Sequence, residues 1–170
     1  MSDHVDRVLA QWADQVPGLD ASSMGVFGRV KRLARIIEAE QRAVFGAHDL
    51  DAAAFDVLAT LRRSPAPHRL TPADLMRSAM VTSGAITQRL DRLEARELVV
   101  RTRREGDGRS VYVSLTEAGR ELIDRALVDH VDNQNRLLSG LTHEQRDRVA
   151  DDLRGLLESL GDTDRHARRS

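Results

Sequence analysis

The chain has 170 residues, 41% of them hydrophobic and only 3% aromatic, a make-up that suits one soluble domain with an aliphatic core and leaves little room for a second. It contains no cysteine, which excludes disulfides, thiolate metal sites and cysteine-based redox sensing, and its net charge of -1 makes any nucleic-acid footprint local rather than global. No apolar run approaches the roughly 20 residues of a membrane span, and the opening MSDHVDRVLA lacks the basic start and apolar stretch of a signal peptide, so a cytoplasmic protein without a membrane partner is expected.

From Ser23 to about Phe45, Val26, Val30, Leu33, Ile37 and Val44 recur at helical spacing with Arg29, Arg32, Arg35 and Glu38 between them, which predicts a long amphipathic helix. After a break at residues 46–50, Asp51 is placed to cap a helix carrying Phe55, Leu58 and Leu61 on one face, ending before the proline-containing stretch 64–68. Thr71-Pro72-Ala73-Asp74 has a cap, a proline at the first helical position and an acid three residues on, and so opens a short third helix to about Ala79. The chain turns at Met80 and Val81, and Thr82 or Ser83 can cap a fourth helix whose Ile86, Leu90 and Leu93 point inward. Two short helices joined by so tight a turn make a helix-turn-helix candidate.

Beyond Glu97 the period changes. Residues 98–103 read as a strand, Val111, Val113 and Leu115 alternate with Tyr112 and Ser114, and the Asp107-Gly108 dipeptide between them reads as a hairpin loop, which makes a wing. Thr116 then caps a helix with Leu122, Ala126, Val131 and Leu138 on its apolar stripe, and residues 141–145 form a capping box for a last helix with Val149, Leu153, Leu156 and Leu160 before Gly161. No repeat, low-complexity tract or linker interrupts this order.

The run from Thr82 to Glu94, then Leu98-Val99, Arg103-Arg104, Asp107-Gly108-Arg109 and Val113-Ser114-Leu115-Thr116-Glu117-Ala118-Gly119, closely resembles the MarR family, over about residues 24–160. The resemblance implies a mainly α fold with a small β-hairpin wing, a single domain over 1–170. It further implies an extra N-terminal helix over 1–20, a winged helix-turn-helix over 51–115 and intertwined dimerisation helices over 22–45 and 117–160. It also implies a DNA-binding homodimer that acts on a pseudo-palindromic operator. Upstream, Asp6 to Trp12, then Pro17, Leu19-Asp20 and residues 24–29, resemble the urate-responsive subgroup of that family. By that resemblance Trp12, Asp56, Arg89 and Arg101 are the ligand-binding set, for a planar anion such as urate or a related purine.

A recognition helix reads base edges in the major groove with polar side chains on its outer face, and a wing reaches the flanking minor groove. Ser83, Thr87, Gln88 and Arg92 lie off the Ile86/Leu90/Leu93 stripe and are the groove candidates; Arg103 and Arg104 lead into the wing. The family implies that Arg109 enters the minor groove while Asp107 orients its neighbours, as a carboxylate holds a guanidinium in a fixed fork. The plainer alternatives are a solvated helix face and a charged hairpin. For the ligand set, two arginines supply charge and forked donors, an acid accepts ring N–H groups and an indole gives an apolar wall. Against this stand a Trp12 that only anchors the first helix and an Arg89–Asp56 structural ion pair.

The six histidines show no metal-like pairing, and no phosphate-binding glycine loop or nucleophile elbow is present, so neither a metal, a cofactor nor a catalytic residue is expected. The expected function is transcription regulation, most simply repression relieved by a small anion. The alternatives are a MarR regulator sensing a phenolic or lipophilic compound, and a helical protein-interaction adaptor that does not bind DNA.

Overall fold

The computed structural model describes residues 2–78, 86–104 and 107–163, and for residues 104 and 107–110 the description is of the backbone alone. In chain order the elements are α1 (His4–Gln15), α2 (Ser22–Gly46), α3 (Ala52–Arg63), β1 (Arg69–Leu70), α4 (Pro72–Ser78), α5 (Ile86–Ala95), β2 (Val99–Arg104), β3 (Asp107–Leu115), α6 (Glu117–Leu137) and α7 (His143–Ser159). Two compact units divide the chain, Met1–His130 and Val131–Ser170.

In the first unit, α1 begins with a capping box. The Asp3 carboxylate accepts from the Val5 and Asp6 amides, and Asp6 accepts in return from the Asp3 amide at 2.8 Å. That start is fastened to α2 by Arg29, which donates to Asp3 at 2.8 Å and to Asp6 at 2.6 Å. Val5, only 6% exposed, seats against Gly28, where an added Cβ would come 3.2 Å from the valine methyl. The absence of a side chain at Gly28 lets the two helices approach there.

Helix α3 is the centre of the fold. Asp51 caps it through the Ala54 amide at 2.6 Å, and every residue from Ala54 to Leu61 is buried. Around it pack Leu75 of α4, Leu90 and Leu93 of α5, Val99 and Val113 of the sheet and Ile123 of α6. Each such aliphatic side chain contributes about 1.5–3 kcal/mol when fully removed from water. Phe45 stacks on Phe55 with ring centroids 4.1 Å apart, and His130 tilts against both at 5.3 and 5.0 Å.

Helices α2 and α5 end in the same way. Asp49 and Glu97 take left-handed backbone, φ 54° and 56°, while Leu50 N–H reaches back to the Phe45 carbonyl and Leu98 N–H to that of Leu93. Both ends are Schellman motifs whose following leucine drops into the core.

The sheet has the order β1-β3-β2, all antiparallel. Strand β1 is two residues long and pairs Arg69 with Ser114 and Leu70 with Val113. The hairpin itself corrects the expected turn. Its ladder runs from Val99↔Leu115 to Arg103↔Val111 and then steps to Arg104↔Asp107, so Asp107 and Gly108 belong to β3 and residues 108–110 form a bulge. Residues 105 and 106 lie outside the described residues. Asp-Gly resembles a turn dipeptide, but the pairing of Arg104 with Asp107 places the connection two residues earlier.

Thr116 joins sheet to α6. Its hydroxyl donates to the Glu97 carbonyl at 2.6 Å and accepts from the Gly119 amide at 3.0 Å. A Cβ on Gly119 would stand 1.9 Å from the Leu98 carbonyl oxygen, so this position tolerates no side chain.

In the second unit, Thr142 and Gln145 complete the anticipated capping box of α7, and Gly161 closes it at φ 85° with Asp162 N–H bonded to the Leu157 carbonyl. No residue of α7 is buried, and Val149, Leu153, Leu157 and Leu160 are all exposed. Among the described residues, no helix is long and apolar enough to cross a membrane.

Candidate nucleic-acid interface

Helix α4 starts on the predicted signal with one change of detail. Thr71 accepts from the Asp74 amide at 3.1 Å, but its hydroxyl donates to the Asp74 carboxylate at 2.6 Å, and Arg77 also holds that carboxylate. Donation from Thr71, reinforced by Arg77, keeps Asp74 below the usual carboxylate range. Leu75 is thereby fixed in the core, and α5 follows across residues 79–85, which lie outside the described residues together with the predicted caps Thr82 and Ser83.

Helix α5 divides as its sequence pattern requires. Leu90 and Leu93 are buried and Ile86 packs partly against the core, while Thr87, Gln88 and Arg92 face outward. The side chains of these three make no hydrogen bond or ion pair among the described residues. Arg103, on β2, is likewise exposed and without a partner there. This separates them from the structural arginines. Arg62 is bonded to Asp124 at 2.6 Å, Arg63 to the Ser78 carbonyl at 2.7 Å and Arg96 to the Asp49 carbonyl at 2.8 Å, and Arg69 lies 4.6 Å from the centre of the Tyr112 ring. In so arginine-rich a chain, the free guanidiniums are the ones available to phosphates and bases. For Arg104, Asp107 and Arg109 the backbone alone is described: Arg104 and Asp107 face each other across the hairpin and Arg109 falls in the bulge.

The ligand candidates sit on four different elements. Trp12 on α1 is 39% exposed, whereas Val5 on the same helix is 6% exposed. Asp56 on α3 is 9% exposed, within the buried run of the core helix. Arg89 is half-buried on α5 and lines a cavity of about 220 Å³ with Gln88, Arg92, Arg96, Asp49 and Asp51. Trp12, Asp56 and Arg101 do not line that cavity.

Arg101 has its own partners. Its Nη1 donates to Glu94 at 2.7 Å and its Nη2 to Asp91 at 2.7 Å. The main-chain N–H of Arg101 also donates to Glu94, at 3.1 Å. Burial works against the charged guanidinium, but Asp91 and Glu94 more than offset this and raise its pKa above the ordinary arginine value. Asp91 and Glu94 were not singled out from sequence. Their spacing of three on α5 was visible, but the arginine they share comes from a strand seven residues after Glu94.

A short helix, a recognition helix with a free polar face and a three-stranded sheet carrying a wing define a winged helix-turn-helix DNA-binding protein. The MarR family model matches residues 48–110. The chain is 37% identical over 142 residues to the HTH-type transcriptional regulator PecS of Dickeya dadantii, covering 84% of this chain and 86% of the relative. It is 24% identical over 152 residues to the HTH-type transcriptional repressor YetL of Bacillus subtilis, covering 89% and 90%. Its fold matches the crystal structure of Sco3205, a MarR family transcriptional regulator from Streptomyces coelicolor in complex with DNA. The TM-score is 0.74 at 25% identity, over 84% of this chain and 93% of that one. The chain belongs to the MarR family. It is a DNA-binding transcriptional regulator and not an enzyme, and the adaptor alternative is set aside.

Proposed function

We propose that the protein is a homodimeric repressor of a pseudo-palindromic operator, released by a small planar anion such as urate or a related purine. The observation that carries DNA reading is the outer face of α5, where the side chains of Thr87, Gln88 and Arg92 are exposed and make no hydrogen bond or ion pair among the described residues. Dimerisation is supported by the apolar rows left uncovered on α2, including Phe27, Leu33 and Ile36, and on α7, including Leu153 and Leu157. A two-fold dimer presents two recognition helices about one helical turn, roughly 10 base pairs, apart. The effector reading is supported by the partly exposed indole of Trp12 and by the half-buried Arg89 on the recognition helix, whose side chain has no hydrogen bond or ion pair among the described residues.

The test is a shift assay on the protein's own upstream region, with half a helical turn inserted between half-sites and with urate or xanthine titrated in. Insertion should abolish tight binding. The effector should quench Trp12, the only tryptophan, and release DNA over the same concentration range. Arg109→Ala should weaken binding and flatten its salt dependence. Neither quenching nor release with either purine would point instead to a phenolic or lipophilic effector, or to none.

A further inference from the structure

Arg101 is held by the recognition helix. Thr87, Asp91 and Glu94 fall on one flank of α5 at i, i+4 and i+7, and the guanidinium spans this flank from β2, reaching Asp91 and Glu94 at 2.7 Å each and the Thr87 carbonyl at 3.4 Å. Glu94 also accepts from the Arg101 amide, so one carboxylate grips both the backbone and the side chain of the wing strand. Arg103, two residues on along the same strand face, has no such partner among the described residues and stays exposed.

We propose that Asp91 and Glu94 are positioning residues, a carboxylate latch that fixes the wing strand to the recognition helix through Arg101, and that an anionic effector releases DNA by drawing Arg101 off this latch. The second half rests on the anion-responsive reading above. Major-groove helix and minor-groove wing must engage one duplex together, so their mutual register sets how well both contacts form at once. The Arg101 side chain is 25% exposed, so it remains within reach of a planar anion whose two acceptors compete with Asp91 and Glu94 for its forked donors. Once Arg101 turns to such a ligand, Asp91 and Glu94 are left as unpaired like charges one helical turn apart, and β2 loses its hold on α5.

The latch makes a prediction whose sign opposes simple electrostatics. Two carboxylates on a helix that approaches phosphates repel DNA, so neutralising them should tighten binding by charge alone. If they act by holding Arg101, neutralising them weakens it.

The experiment uses the full-length protein and an operator fragment from its own upstream region. Asp91→Asn, Glu94→Gln and the double variant are compared with wild type and with Glu97→Gln as a charge control. Folding is checked by circular dichroism and thermal melts; Asp91, 57% exposed, supplies a variant that disturbs no core packing. The double variant should bind roughly three- to thirtyfold more weakly. It should keep major-groove protection of guanine N7 against dimethyl sulfate while losing the flanking minor-groove protection against hydroxyl radicals, and Glu97→Gln should show neither change. Arg101→Lys, a point charge that cannot fork between two carboxylates, should fall between wild type and double variant. A folded double variant that binds as tightly as wild type, or more tightly, with the full footprint overturns the latch.

Urate is the effector probe. In Glu94→Gln its half-release concentration should fall, because the competing carboxylate is gone. An unchanged value in a urate-responsive protein overturns the effector half alone. Wild type that ignores urate overturns the ligand reading and that half with it, while the DNA arm decides the positioning role in either case.

Discussion

Helices α3 and α7 are both amphipathic and both begin on a side-chain cap, yet α3 buries eight consecutive residues from Ala54 to Leu61 and α7 buries none. Around α3 the protomer supplies helices and a sheet on every side, enough to enclose even Asp56 and Thr60. Along α7 the row of Val149, Leu153 and Leu157 remains about half in water, and each such side chain forgoes on the order of 1 kcal/mol until something covers it. The same kind of pattern is therefore used twice, once to fold the first unit and once, under the proposed dimer, to present a surface for another copy.

The largest effect expected in the self-contained region comes from Gly119. In Gly119→Ala the new Cβ meets the Leu98 carbonyl oxygen, a backbone atom that cannot move without pulling β2 and the Thr116 junction with it. A loss of roughly 3 kcal/mol or more is expected from such overpacking, read as a drop in urea midpoint. Leu58→Ala, at a fully buried position of α3, should cost about 2–5 kcal/mol by the same measurement.

In the other region the expected effect is on association. Leu153→Asp should leave the first unit's packing intact but shift sedimentation toward monomers and make operator binding steeply dependent on protein concentration. An unchanged dimer population would show that α7 is not covered by a partner. Thr142→Ala removes half of the α7 capping box and should cost about 1 kcal/mol, seen as faster amide exchange in its first turn.

The smallest effect is a pH dependence confined to the α3 side. Burial beside Phe45 and Phe55 lowers the His130 pKa from its ordinary 6.5, so the folded chain favours the neutral ring. The unfolded chain then binds the proton more readily. His130 thus contributes stability in full above pH 6.5, and this contribution is lost as pH falls through the depressed folded value. His130→Gln should flatten the melting temperature over that acidic window while leaving the slope above it unchanged.

The order of elements was legible because it is written in local chemistry. Asp51, Thr71, Thr116 and Thr142 each cap the helix their spacing announced, and Leu90 and Leu93 turned inward as a 3.6-residue period requires. The outer face of α5 followed from the same period, which is why Thr87, Gln88 and Arg92 could be named in advance. Strand β1 escaped because two residues carry no period, and its existence depends on β3 passing alongside. The hairpin connection was misplaced because a dipeptide preference is weaker than the register of a paired ladder, which set Arg104 opposite Asp107. What only the tertiary structure decided is which arginines are spoken for. Arg101 and Arg103 lie two residues apart on one strand, and the folded chain alone places Asp91 and Glu94 against the first while leaving the side chain of the second without a hydrogen bond or ion pair among the described residues. An ion pair depends on separation in space, and separation along the chain fixes that only within a single turn or strand.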